Sequence, residues 1–182
     1  MKTMPKETQM LNGVNVTQMN ETIAAVKETP AVAKFKFSAK NKWLDGAYNR
    51  STINEFSGAL ETFHRERPFI LENDEAPVLL GEDRAPNPVE NLLHALAGCI
   101  TTTMVYHSAA RGLAIDELET SFEGDVDLHG FLGLRDDVRP GFQQIRVNVR
   151  IKGDLTDEQI RDIAKLAERF SPVFDTLTKG TN

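Results

Sequence analysis

Cys99 is the only cysteine among the 182 residues. A lone thiol excludes an intrachain disulfide, a cysteine-rich zinc site and a CxxC redox pair. It leaves a packed structural thiol, a catalytic thiol or a bridge between chains. A reactive thiol needs a cation or a hydrogen-bond donor to stabilise its thiolate. No Lys, Arg or His stands one helical turn from Cys99 in either direction; His94 precedes it by five residues and His107 follows it by eight. Any activating cation therefore has to come from another element of the fold.

The remaining candidates for chemistry are weaker. His64, His94, His107 and His129 lack the spacing of a metal-ligating set, so no metal is expected. Glu119, Glu123, Asp125 and Asp127 read as the solvated face of a strand. No glycine-rich phosphate loop, dinucleotide fingerprint or GxSxG elbow occurs, and no cofactor is expected. The net charge of −6 and pI near 5.3 argue against a nucleic-acid footprint. The most apolar stretch, Leu92 to Ala110, contains two histidines and three consecutive threonines and is closed by Arg111. It suits a buried helix better than a bilayer span of about 20 apolar residues. The N-terminal stretch, broken by Pro5, Gly13 and Pro30, has no apolar h-region. The expectation is a cytoplasmic protein with no membrane or nucleic-acid partner.

The elements that must position Cys99 follow from periodicity. Residues 1–33 read as an arm with a weak helical stripe through Val14, Val16, Met19, Ile23 and Val26, capped by Thr17 or Asn20 and ended by Pro30. Residues 34–182 form the main domain. Phe35, Phe37 and Ala39 alternate with lysines and a serine, Asp45-Gly46 marks a hairpin, and Tyr48 to Phe56 is its return strand, carrying Arg50. Phe69–Leu71 and Val78–Leu80 read as further short strands. Asn87 caps a helix whose first position is Pro88 and which runs to about Arg111, with Gly112 as its left-handed stop. It is apolar nearly all round, as a central buried helix is. Leu118–Leu128 and Phe142–Ile151 alternate as strands. Thr156 and Gln159 form a capping box on a last amphipathic helix, and Ser171-Pro172 follows it. The fold class is α+β with mainly antiparallel sheet around a long central helix.

Two segments are similar in residues and spacing to the signatures of a known family. Asn87-Pro88-Val89-Glu90-Asn91-Leu92-Leu93-His94-Ala95-Leu96-Ala97-Gly98-Cys99 resembles the helix start of the OsmC/Ohr family, NPxELLxxALAxC. Ser171-Pro172-Val173-Phe174-Asp175-Thr176-Leu177 resembles its second signature, CPVxxTL. The resemblance covers roughly residues 34–180. It implies an intertwined homodimer with central helices in the dimer core and sites at the interface. It also implies reduction of organic hydroperoxides by the first-motif cysteine, resolved by the second. An arginine from the early strands and a glutamate after Asn-Pro would orient the thiolate.

Carried over by position, Cys99 is the peroxidatic residue. Ser171 stands at the resolving position and forms no disulfide. Val89 occupies the glutamate position, with Glu90 next to it about 100° around the helix. Arg50 is the first candidate for the arginine and Arg84, in the loop before the helix, the second. The resemblance thus implies a single-cysteine, thiol-dependent hydroperoxide reductase resolved by an external thiol. The alternative is a non-catalytic dimer of the same fold that binds a small hydrophobic ligand.

Overall fold

The computed structural model describes residues 8–181; the first seven residues of the expected arm lie outside them. The chain divides into two compact units. One comprises Asn15–Asn91 with residues 8–9, the other Met10–Val14 with Leu92 onward.

The first unit is built on strands. Helix α1 (Val16–Glu28) is capped by Asn15, whose side chain accepts from the Gln18 amide at 2.9 Å. The cap therefore falls two residues before Thr17, because Asn15 is the residue held in extended backbone. A 3-10 turn over Pro30–Ala33 follows. Strands β3 (Lys36–Phe37), β4 (Lys40–Asp45), β5 (Tyr48–Gly58) and β6 (Glu61–Asn73) make one antiparallel sheet. Strand β5 is its spine: β3 and β4 pair with successive stretches of it, and β6 runs along its other edge. The Asp45-Gly46 hairpin forms as expected, and Trp43 Nε1 donates to the Gly46 carbonyl at 2.9 Å across it. Phe37, Phe56 and Phe63 stand in register across three strands and stack.

Val78–Leu80 is not a strand. Pro77–Leu79 forms a 3-10 turn, and Leu80 turns left-handed at φ 68°. The reason is Asp74, which is 2% exposed and accepts from the backbone amides of Glu75, Glu82 and Arg84. Those bonds curl the chain back on itself, and an extended strand has no partner there. Gly81 is required by the same turn: a Cβ on it would lie 1.8 Å from the Glu75 carbonyl oxygen.

The second unit holds the apolar core. A two-residue hairpin, β1 (Met10–Leu11) with β2 (Val14–Asn15), presents Asn12, whose side chain donates to the Leu113 carbonyl and accepts from the Ile115 amide, both at 2.9 Å. Helix α2 (Pro88–Ala110) is stopped at Gly112 in the left-handed region, φ 71°. Strands β7 (Glu117–Asp125) and β8 (Gln144–Lys152) pair antiparallel. Strand β7 stops before Val126 and Leu128, since Asp127 caps the short helix α3 (Leu128–Phe131). Helices α4 (Asp157–Phe170), opened by the Thr156–Gln159 capping box, and α5 (Pro172–Lys179) close the chain. Leu96, Ile100 and Met104 of α2 pack with Ile151, Ile163 and Ala167. The apolar stripe of α4 meets α2 because its residues recur at helical spacing.

Met104 and Ile163 have no exposed surface. Met104→Ala is expected to cost about 2–5 kcal/mol, the usual range for truncating a fully buried side chain. Urea unfolding followed by far-ultraviolet dichroism measures it; a loss well under 1 kcal/mol would contradict the core assigned here.

Candidate functional site

The candidate residues fall into two sets, one in each unit. Cys99 lies about three turns into α2 and is partly exposed. Its carbonyl accepts from Thr103 Oγ1 at 2.8 Å. Ala95, Gly98, Thr102 and Tyr106 of the same helix are exposed, and a Cβ built on Gly98 meets nothing within 4 Å. The thiol thus sits beside an open, small-residue flank of α2, while Leu96, Ile100 and Met104 are committed to the core. His94 is exposed. His107 stacks on Phe170 with ring centroids 4.7 Å apart. Burial, and then the charge of Arg111, push the His107 pKa below the ordinary histidine value.

Ser171, at the second-motif position, is 1% exposed and caps α5, its Oγ accepting from the Phe174 amide at 3.3 Å. A hydroxyl is well suited to that task, and the position does structural work here without a thiol.

Arg50 and Arg84 both belong to the strand unit, and they meet on one tyrosine. Arg50 Nε donates to Glu72 Oε1 at 2.7 Å, and Tyr48 Oη donates to the same oxygen at 2.7 Å. The Arg84 guanidinium lies 4.9 Å from the Tyr48 ring centroid. The Tyr48 hydroxyl and the Arg50 guanidinium hold Glu72 below the usual carboxylate range. The same partners, Tyr48 and Glu72, raise the pKa of Arg50, which stays cationic. Glu72 was not identified from sequence, although the β5–β6 register places it directly opposite Arg50. Asp74 was missed too. Burial opposes its ionisation, but the amides of Arg84, Glu75 and Glu82 outweigh that, and its pKa falls below the ordinary value.

Glu90 is engaged at the start of α2. The Asn87 amide donates to Glu90 Oε2 at 2.9 Å, and the Glu90 amide donates to Asn87 Oδ1 at 2.8 Å, a reciprocal capping box. One residue on, Asn91 Nδ2 donates to Asn73 Oδ1 at 2.8 Å, and Asn73 Nδ2 to Asn49 Oδ1 at 3.2 Å. These amides tie the first turn of α2 to β5 and β6. Among the described residues no group of three or more His, Cys, Asp or Glu could hold a metal ion. None of the helices described is long and apolar enough to cross a membrane.

The family model for OsmC-like proteins matches residues 81–182, and the chain belongs to that family. Three solved structures share its fold. An OsmC-like protein from Mycoplasma pneumoniae is 16% identical with a TM-score of 0.61, covering 78% of this chain and 86% of its own. An organic hydroperoxide resistance protein from Legionella pneumophila is 14% identical with a TM-score of 0.55, over 79% and 91%. An OsmC-like protein of unknown function from Vibrio cholerae is 12% identical with a TM-score of 0.57, over 79% and 94%. No curated protein matches in sequence.

Two outcomes follow from this geometry. Ser171→Ala is expected to cost about 0.5–2 kcal/mol, the loss of a helix cap, measured by chemical denaturation; an unchanged midpoint would remove the cap from the account. Asp74 has a depressed pKa in the folded state. Its contribution is therefore complete above the ordinary aspartate value and is lost as pH falls through the depressed one. The amide resonances of Glu75, Glu82 and Arg84 should titrate together, below the ordinary aspartate midpoint, in a nuclear magnetic resonance pH series.

Proposed function

We propose that the protein is a thiol-dependent reductase of organic hydroperoxides, acting as a homodimer with Cys99 as its only redox residue. The observation that carries this reading is the placement of Cys99. It is partly exposed on a flank of α2 that also exposes Ala95, Gly98, Thr102 and Tyr106, whereas a structural thiol is usually buried. Membership of the OsmC-like family and the likeness in fold to a hydroperoxide resistance protein support it.

In this mechanism the Cys99 thiolate attacks the terminal peroxide oxygen. The O–O bond breaks, the alkoxide takes a proton and leaves as an alcohol, and sulfur becomes a sulfenic acid. With Ser171 at the second-motif position, an external thiol condenses with the sulfenic acid and releases water. A second external thiol then attacks the mixed disulfide, returning the Cys99 thiol and an external disulfide. Arg50, fixed by Glu72 and Tyr48, is the proposed source of positive charge for the thiolate, and Glu90 acts by setting the start of α2. A cytoplasmic location suits the reductant, since small thiols stay reduced there.

The dimer is supported by what the strand unit leaves uncovered. Among the described residues Val16 is its only buried hydrophobic residue, while Phe35, Phe37, Trp43, Phe69 and Ile70 are at least half exposed. A sheet with this much wet apolar surface needs a covering partner, and a second copy supplies one. A second reading, a dimer of the same fold that binds a small hydrophobic ligand without catalysis, is favoured by Val89, which puts an apolar side chain where the family resemblance implies a carboxylate.

Stopped-flow mixing with an organic hydroperoxide and an external dithiol decides between them. Peroxide consumption that is abolished in Cys99→Ser, and reduced about tenfold or more in Arg50→Met, is expected for the reductase. Consumption that persists in Cys99→Ser, or none in the native protein, rejects it. Sedimentation of a stable folded monomer rejects the dimer.

A further inference from the structure

Helix α4 has a polar face that none of the proposed redox chemistry uses. Gln159, Asp162, Lys165 and Arg169 recur every three or four residues, so they share that face. Ile163 and Ala167 belong instead to the core of the same unit. Arg111, just past the end of α2, joins the four. Together they line an open cavity of about 370 Å³, with Leu166, only 7% exposed, in its apolar wall. That volume is at the small end of ligand sites.

The cavity holds uncompensated positive charge within reach of solvent. Arg111, Lys165 and Arg169 are all exposed. Asp162 is the single carboxylate on the wall; the other acidic residues of α4 do not line it. Asp162 Oδ1 lies 3.7 Å from Lys165 Nζ, too far for a hydrogen bond. The Arg111 guanidinium has no hydrogen-bond or ion-pair partner among the described residues. Its charge reaches His107, whose pKa is lowered first by burial and then by Arg111. Arg169 rests on Phe170, 4.9 Å from the ring centroid, a contact with the ring face that uses none of its N–H donors. The capping box orients Gln159: its Oε1 accepts from the Thr156 amide at 2.8 Å, which leaves Nε2 as a donor. The wall thus offers cations and donors, in a chain whose net charge is −6.

We infer that this cavity, about three turns of α2 beyond Cys99, binds the phosphate group of a small phosphorylated molecule through Arg111, Lys165 and Arg169. Charge decides the class. Three cations face one carboxylate, and a phosphate monoester dianion offsets the excess fully, where a carboxylate monoanion offsets half of it. The guanidinium forks of Arg111 and Arg169 match phosphate oxygens bidentately, and Lys165 adds a point charge. The field of the whole chain sets the size. Nucleic acid, a polyanion, would meet the repulsion of a protein carrying −6, whereas a small dianion meets only the local wall.

The test is a titration of the full chain with inorganic phosphate and with glycerol phosphate at about pH 8, where both are dianions. Acetate and sodium chloride at matched ionic strength are the controls, and side-chain nuclear magnetic resonance is the readout. Saturable shifts of the Arg111 and Arg169 Nε–H signals and of the Gln159 side-chain amide are expected for both phosphates, with acetate weaker by about tenfold. Arg111→Gln should weaken phosphate binding about tenfold, the loss of one charge-assisted contact. Asp162→Asn removes the opposing carboxylate and should tighten binding about twofold or more, a gain that misfolding does not produce. Cys99→Ser should bind phosphate as the native protein does, which separates this site from the reductase. The proposal is overturned if neither phosphate gives saturable shifts there, if acetate binds as tightly, if Arg111→Gln keeps full affinity, or if Asp162→Asn fails to tighten binding.

Discussion

Helix α2 carries Cys99, and its first turn is closed by side chains of its own start. The Asn87–Glu90 capping box closes the first turn, and Pro88 at its first position enters without an amide to satisfy. The Asn91–Asn73–Asn49 amide chain then fixes that turn against β5 and β6. A helix held at its start has its rotation set: every later residue inherits its angle at 100° per position. Within the second unit Leu96, Ile100 and Met104 fall on the core side and Cys99 beside the open flank. Glu90 thus matters to the site through the backbone, whatever else its carboxylate does.

The two units reach order by different means. Around Met104 and Ile163, order comes mainly from apolar burial. The strand unit relies on hydrogen bonds and stacked rings: the Asp74 turn, the Tyr48–Arg50–Glu72 cluster, and the Phe37–Phe56–Phe63 stack. Such contacts fix geometry well but remove little apolar surface from water, and burial is the larger source of stability. That contrast is the reason a covering second copy is proposed for the strand unit.

Much of this was legible from residue order because it rests on local rules. The Asp45-Gly46 hairpin, the extent of α2, the Thr156 capping box and the alternation of β8 need only nearby residues. What was not legible depends on residues far apart in the chain. Glu72 meets Arg50 through a strand register that crosses a bulge. Asp74 makes the Val78–Leu80 segment a turn through amides up to ten residues away. Apolar triplets such as Val78–Leu80 read as strand by propensity, but a single buried carboxylate overrides that preference. Ser171 was placed by its motif, and its capping role appears only once the helix after it is seen to begin at Pro172.

The hydrogen bond from Trp43 to Gly46 has a practical consequence. Trp43 is the only tryptophan in the chain, it belongs to the strand unit, and 69% of it is open to solvent. Its fluorescence is therefore a built-in optical label for one unit alone, silent about the core around Met104. Red-shifted emission marks the bare sheet, and any body that settles over that face would move the band to shorter wavelength.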